Sequence, residues 1–315
     1  MAIEMRDPRK MFGKAVTDLA ASNNDIVVLS ADSGKSSGFG EFIEKYPQRY
    51  FECGIMEQGV VGAASGLATT GKIPIFCAIA PFVTARPFEM VRNDVGYMKQ
   101  NVKIVGRNSG ISYSDLGATH HSLEDFAIMS MIPGMVVLAP QDPGEIIEAV
   151  KSMVEYKGPV YMRIGNAKIP CLFEQKKFTI GKGNVIKEGK DVTIVSTGSI
   201  TGEVMKAEKI LRDHGIDAEL IGMPTVNPID QDIIVKSASK TKHIITVEEH
   251  YIKGGLASVV LETIDRNRVR CEFNRLGIPH DYATNGDYEE LLDYYHLNAK
   301  GIAEEVENFS NKYRE

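Results

Sequence analysis

The sequence predicts an α/β protein of two domains, each a mainly parallel sheet flanked by helices. Three observations carry this. Apolar runs of strand length alternate with amphipathic stretches of helical period from one end of the chain to the other. The alternation pauses once, between about 165 and 190, and then resumes. A chain of 315 residues is also long enough for two compact units of roughly 100–200 residues. Alternation of this kind needs crossover connections, so the strands run parallel and the helices cover both faces.

The elements follow in order. A helical pattern over 7–21 precedes a strand at 26–30 (IVVLS), and helical period returns at 57–70. A strand at 73–78 (IPIFCA) leads to a helix at 87–99, where Pro87 sits in the first turn and its missing N–H costs nothing. Strands at 102–106, 135–138 and 159–162 enclose helices at 123–131 and 143–155. The run GNAKIPCLFEQKKFTIGKGNVIKEGK, rich in lysine and glycine, has no sustained period, and 171–190 reads as a linker between domains at 1–170 and 191–315. Beyond it, strands are expected at 192–196, 217–222, 243–247 and 271–275, with helices at 201–213, 230–238, 255–265 and 300–312.

Composition excludes several classes. With 43% hydrophobic and 25% charged residues, the chain is not mainly disordered. Its net charge of -6, with both signs mixed along the chain, builds no basic face for nucleic acid. Cys53, Cys77, Cys171 and Cys271 form no CxxC pair, so no metal site or disulfide framework is expected, and a reducing cytoplasm fits. MAIEMRDPRK lacks the apolar stretch of a signal peptide, and no run of ~18 apolar residues suggests a membrane span.

Residues 50–70, YFECGIMEQGVVGAASGLATT, carry the most information. Glu57 begins a helix along which Gly59, Gly62, Ala63 and Gly66 form a stripe of small residues, open to close approach by another helix. One reading makes Glu57 a first-turn acid favoured by the helix dipole. The other makes it a carboxyl group in an apolar pocket beside Ile55, Met56 and Val60, able to trade a proton with a bound heterocycle.

CGIMEQGVVGAASGLA, then APFVTARPFEMVRNDV, NVKIV, LGATHHSLED and VVLAPQDPGE, resembles the pyrimidine-binding domain of transketolases; HIITVEEHYIKGGLASVV resembles their C-terminal domain. The resemblance runs through nearly the whole chain in the same order. It implies the thiamine-diphosphate-binding fold followed by a transketolase C-terminal-like domain, and transfer of a two-carbon ketol unit between sugars. Thiamine diphosphate does the difficult organic step, and the protein positions it and tunes its protons. Glu57 matches the glutamate that hydrogen-bonds N1′ of the aminopyrimidine, and Phe82 the aromatic that stacks on that ring. Asp32 is similar to an aspartate near the cofactor, although a strand-end aspartate also suits a helix cap. His120 matches the histidine that hydrogen-bonds the donor sugar near its carbonyl, with His121 beside it. Arg9, Ser36 and Arg163 fall where the family holds the sugar phosphate, a role suited to arginine forks and a hydroxyl.

Three departures stand out. The GDG signature of the metal–diphosphate half, followed by an asparagine, is absent; only NGDYEE around Asp287 comes near it. The chain therefore resembles the second subunit of a split transketolase. It implies an N-terminal partner that holds the diphosphate and Mg2+ or another divalent ion, as a two-plus-two heterotetramer. Leu116 replaces the aspartate that contacts a donor hydroxyl, with Asp115 displaced by one, and Asn108 replaces a phosphate-holding histidine. Both changes put the identity of the sugar substrate in question while leaving the cofactor residues in place. Three other readings compete: the beta subunit of a 2-oxo acid dehydrogenase, a deoxyxylulose phosphate synthase (disfavoured by the missing half), and a non-catalytic scaffold subunit.

Overall fold

The computed structural model describes residues 4–174 and 177–312. Its strands are β1 (Met5–Arg6), β2 (Ile26–Ser30), β3 (Tyr50–Glu52), β4 (Ile73–Ile79), β5 (Lys103–Arg107), β6 (Val136–Leu138), β7 (Val160–Arg163), β8 (Ile169–Pro170), β9 (Asn184–Lys187), β10 (Val192–Ser196), β11 (Ala218–Gly222), β12 (Thr225–Asn227), β13 (His243–Tyr251) and β14 (Glu272–Ile278).

The first sheet has the order β12-β6-β7-β5-β4-β2-β3 and is parallel except for β12. β2, β5 and β7 are buried along their whole length, as near-continuous apolar strands in a sheet covered on both faces must be. One face packs Phe12 and Val16 of helix Pro8–Ala20 with Ile146 and Val150 of helix Pro143–Glu155. The other packs Val60 and Val61 of helix Glu57–Thr69 with Val91 and Val95. The second sheet, β14-β13-β10-β11-β9, is parallel except for β9. Helices Thr201–Asp213 and Ala299–Lys312 cover one side, and Gln231–Thr241 and Leu256–Arg266 the other.

Several elements differ from the sequence expectation. The stretch expected as a linker, 171–190, is structured in part: just before it β8 pairs antiparallel with β1, and within it β9 edges the second sheet. The residues of β9 are only half-buried or exposed, so they show no apolar signal. β12 lies in the second half of the sequence yet pairs with β6 of the first sheet, which stitches the two units together. The helix expected at 87–99 divides into a short turn, Phe88–Met90, and a π-helical stretch, Val91–Tyr97. There the Ser65 hydroxyl donates to the Asp94 carbonyl at 2.7 Å, taking an acceptor from the helix ladder. No helix among the described residues is long and apolar enough to cross a membrane.

Candidate active site

In a parallel sheet, ligands gather at the carboxyl ends of the strands, and most of the candidate residues lie there. Beyond β4 the chain turns directly into the short helix Ala80–Val83, with Pro81 in its first turn and the Thr84 hydroxyl donating to the Ala80 carbonyl at 2.7 Å. This places a half-buried Phe82 at the sheet edge. Glu57 opens helix Glu57–Thr69 after a turn at Gly54, whose φ of 72° favours glycine. Glu57 is 3% exposed. Of the apolar neighbours expected around it, only Val60 is buried; Ile55 and Met56 precede the helix and face outward.

Arg86 joins these residues, and sequence reasoning missed it. Its Nη1 donates to Glu57 Oε1 at 2.6 Å, while its guanidinium lies 3.9 Å over the Phe82 ring. The one signal available was its position four residues after Phe82, the spacing that stacks side chains along a turn. His120 meets the Phe82 ring edge-on at 5.2 Å and the Tyr113 ring at 5.4 Å, and its Nδ1 lies 2.9 Å from the Thr119 hydroxyl. The loop turns at Gly117, with φ 69°, so that the His120 and His121 amides both donate to its carbonyl. The second domain pins this loop: the Gly286 amide donates to the Ser114 carbonyl and the Asn285 side chain to that of Asp115. Leu116 is exposed on it.

His121 does not join its neighbour. It is buried and lines a cavity of about 470 Å³ with Glu124, Tyr251, His280, Asp281 and Tyr282, at the boundary with the second domain. Burial pushes its imidazole pKa down. Asp32 takes a left-handed φ of 53° after β2, and its amide donates to Glu52 Oε1 at 2.7 Å. It caps no helix, since the next one begins at Gly40. Instead it lines an open cavity of about 490 Å³ with Ser33, Lys35, Ser36 and Tyr50.

The residues expected to hold an anion divide: Ser36 and Asn108 meet Arg107, which the sequence reading did not single out, whereas Arg9 and Arg163 have other partners. Arg107, the last residue of β5, is 5% exposed and gives its fork to three neutral acceptors: Ser37 Oγ at 3.1 Å, Ser36 Oγ at 3.0 Å and Asn108 Oδ1 at 3.2 Å. Asn108 holds φ 57°, a conformation asparagine tolerates better than most residues. No carboxylate pairs with Arg107 among the described residues. Burial, with the nearby Arg9 charge, pushes its pKa below the usual arginine value. Arg9 itself folds back on Asp7, the N-cap of its helix, at 3.0 Å.

Arg163 lies apart from Ser36 and Asn108 and has partners of its own. It ends β7 but is buried: Nη1 reaches Asp125 Oδ1 at 3.2 Å, Nη2 donates to the Glu249 carbonyl at 2.9 Å, and the guanidinium stacks 4.3 Å from the Phe126 ring. Asp125 also accepts from Tyr161 Oη at 2.6 Å. Arg163 thus links Asp125 of the first domain to the Glu249 carbonyl of the second, while Arg107 lies beside Ser36 and Asn108. Among the described residues no three His, Cys, Asp or Glu side chains are grouped to hold a metal ion.

Two mainly parallel α/β units thus bring a buried acid, an aromatic and a histidine loop to the strand ends of the first sheet. The transketolase pyrimidine-binding domain matches residues 4–170 and the transketolase C-terminal domain residues 181–302, so the chain belongs to the transketolase family. It is 38% identical to a subunit of the apulose-4-phosphate transketolase of Phocaeicola vulgatus, over 99% of this chain and 100% of that protein. It is 34% identical to a 6-deoxy-6-sulfo-D-fructose transketolase subunit of a Clostridium species, over 93% and 91%. A solved chain described as a split gene transketolase, inactive beta4 tetramer, superposes with a TM-score of 0.90 at 38% identity, covering 97% of this chain and 98% of that one.

Proposed function

We propose that this chain is the pyrimidine-binding subunit of a split thiamine diphosphate-dependent transketolase. It moves a two-carbon ketol unit from an anionic ketose to an aldose phosphate, with the site completed by an N-terminal partner subunit. The observation that carries this reading is the Glu57–Arg86–Phe82 arrangement. A planar guanidinium already lies on the Phe82 face while an N–H donates to Glu57, the two contacts that a flat, nitrogen-bearing aminopyrimidine requires. These residues would fit the aminopyrimidine, with Glu57 hydrogen-bonding its ring nitrogen and Phe82 stacking on its face.

When bound, thiamine diphosphate supplies the nucleophilic carbon that takes up the ketol unit. Glu57 holds N1′ through a hydrogen bond and exchanges a proton there. Phe82 fixes the ring plane. His120 is steadied between Phe82 and Tyr113, with Nδ1 2.9 Å from the Thr119 hydroxyl; in the tautomer protonated on Nε2 that nitrogen donates to the substrate carbonyl oxygen. Asp32 lies at the cofactor edge of the site, and Arg9, Ser36 and Asn108 border the donor's terminal anion. The partner holds the diphosphate and a divalent ion such as Mg2+, a reading supported by relatives of this length described as transketolase subunits. A two-plus-two assembly accords with the prevalence of closed two-fold symmetry, and four free cysteines accord with a cytoplasmic setting.

The test is ketol transfer by the complex of this chain and its partner, Glu57→Gln against wild type. Gln keeps the shape but cannot exchange the proton, so turnover falls ~10²–10⁴-fold with the fold intact, and neither subunit alone is active. Near-wild-type transfer by Glu57→Gln sinks the assignment. Acetyl transfer to dihydrolipoamide instead would assign the chain to the 2-oxo acid dehydrogenases.

A further inference from the structure

The loop that carries His120 is closed at its base within the first domain. Gly110 and Ser122 form an antiparallel bridge, each amide donating to the other's carbonyl, at 3.1 and 2.9 Å. Beyond that bridge the second domain holds the loop along its length. At one leg Glu249 of β13 accepts the Ile111 amide on Oε1 at 2.7 Å, and at the other the Tyr251 amide donates to the Leu123 carbonyl at 3.0 Å. Between them the Gly286 amide and the Asn285 side chain meet the carbonyls of Ser114 and Asp115. The second oxygen of Glu249 accepts from Tyr288 Oη at 2.9 Å, and Tyr288 opens the helix just after that pair. One carboxylate thus ties the first leg of the loop to the segment that holds its crest. Gly110 makes room for it: at φ 62°, a Cβ there would lie 2.2 Å from Glu249 Oε1. Glu249 is 5% exposed, and burial pushes its pKa upward, so it is an unfavourable group for merely filling space.

We infer that Glu249 is a positioning residue for His120, acting from the second domain through Ile111 and the loop rather than on the substrate. This deepens the transketolase reading and rests on the role given there to His120. The Ile111 bond fixes where the first leg leaves the sheet, and the Gly110–Ser122 bridge carries that placement to the second leg, where His120 stands two residues before Ser122. A histidine that donates to a carbonyl oxygen must be held to a fraction of an ångström, and a misplacement of about 1 Å costs on the order of 10²-fold in rate. Glu57 and Phe82 lie on other elements and keep their places without Glu249.

The test has two arms. In the complex of this chain with its partner, well below the unfolding midpoint, Glu249→Ala should lower kcat for ketol transfer roughly tenfold to a hundredfold and leave thiamine diphosphate affinity unchanged. Glu249→Gln, whose amide oxygen still accepts from Ile111, should recover most of that loss. Glu249→Ala combined with His120→Ala should be no slower than His120→Ala alone, because the two act as one unit. The second arm uses the full chain without partner, its histidines labelled with carbon-13 at Cε1, and identifies the His120 signal by its loss in His120→Gln. Glu249→Ala should move that signal and Glu249→Gln restore it, while the signal of His214, which pairs with Glu307, stays in place. Losses that add, Glu249→Gln no better than Glu249→Ala, a matching fall in thiamine diphosphate affinity, or an unmoved His120 signal each overturns the inference. Should Glu249→Ala not fold, Tyr288→Phe, which leaves the Ile111 bond but frees the carboxylate, must move the same signal or the inference falls. A wild-type complex without ketol transfer fails the transketolase reading alone, and the His120 signal then decides.

Discussion

Arg163→Met should damage the fold rather than substrate binding, and the size of the damage follows from its contacts. The change leaves Asp125 buried without its cation, although Tyr161 Oη at 2.6 Å and the Phe126 amide at 2.9 Å still donate to it. It also removes the donor to the Glu249 carbonyl and the stack on Phe126. Removing one member of a buried ion pair costs ~3–5 kcal/mol. The two remaining donors soften that, and the lost carbonyl bond adds ~1 kcal/mol, so a loss of about 3–4 kcal/mol is expected. Because Glu249 belongs to the second domain's sheet, the loss should weaken the coupling between domains as well as the first domain. Urea unfolding at neutral pH measures it, and Asp125→Asn in the same chain should recover at least half, since an amide needs no counter-charge. A loss below about 1 kcal/mol, accompanied by a raised donor KM in the reconstituted enzyme, would refute this reasoning and return Arg163 to the substrate.

Two further outcomes are expected. Leu116 cannot accept a donor hydroxyl, and a site that leaves one buried without a partner loses ~1–3 kcal/mol; the reconstituted enzyme should therefore favour a ketose altered near C3 over xylulose 5-phosphate or fructose 6-phosphate, and Leu116→Asp should narrow that preference. A wild type that prefers ordinary phosphoketoses, merely crippled by Leu116→Asp, would make the leucine a packing detail. Burial raises the Glu248 pKa to about 7 although the Leu256 and Ala257 amides donate to it; the folded state then binds the extra proton between about 4.5 and 7, so this group's contribution to stability falls as pH rises through that window. Glu248→Gln should remove that part of the slope, up to about 3 kcal/mol, in unfolding measured from pH 4.5 to 7.5, and an unchanged difference between the two proteins across the window would refute it.

Much of the architecture was legible because burial on both faces of a parallel sheet demands apolar strands, and β2, β4, β5, β7, β10 and β11 are written that way. What escaped were elements whose partners lie far away in sequence. β12 has three residues, and its reason for being a strand is β6, almost ninety residues earlier. The π-helical stretch depends on Ser65 reaching across to Asp94, which no local period reveals. In the site, Glu57, Phe82 and His120 could be placed because their motifs fix them on single local elements. Arg86 was passed over because the sequence motif directs attention to the residues expected to touch the cofactor, whereas its contacts depend on two separate elements converging.

Arginines 107 and 163 show where sequence reading stops and why. Each closes a strand of the same sheet, each is nearly buried, and their chemistry is the same, so nothing local ranks one as the binder. The difference lies in Asp125, which enters with helix Asp125–Ser130 and supplies a full negative charge to the end of β7. Among the described residues no acid pairs with Arg107 at the end of β5; Ser36, Ser37 and Asn108 meet it instead. Packing decides which arginine receives an acid and which receives neutral acceptors. Such a difference is found by following charge compensation through the folded chain, since the position of the arginine in its motif carries only half of the argument.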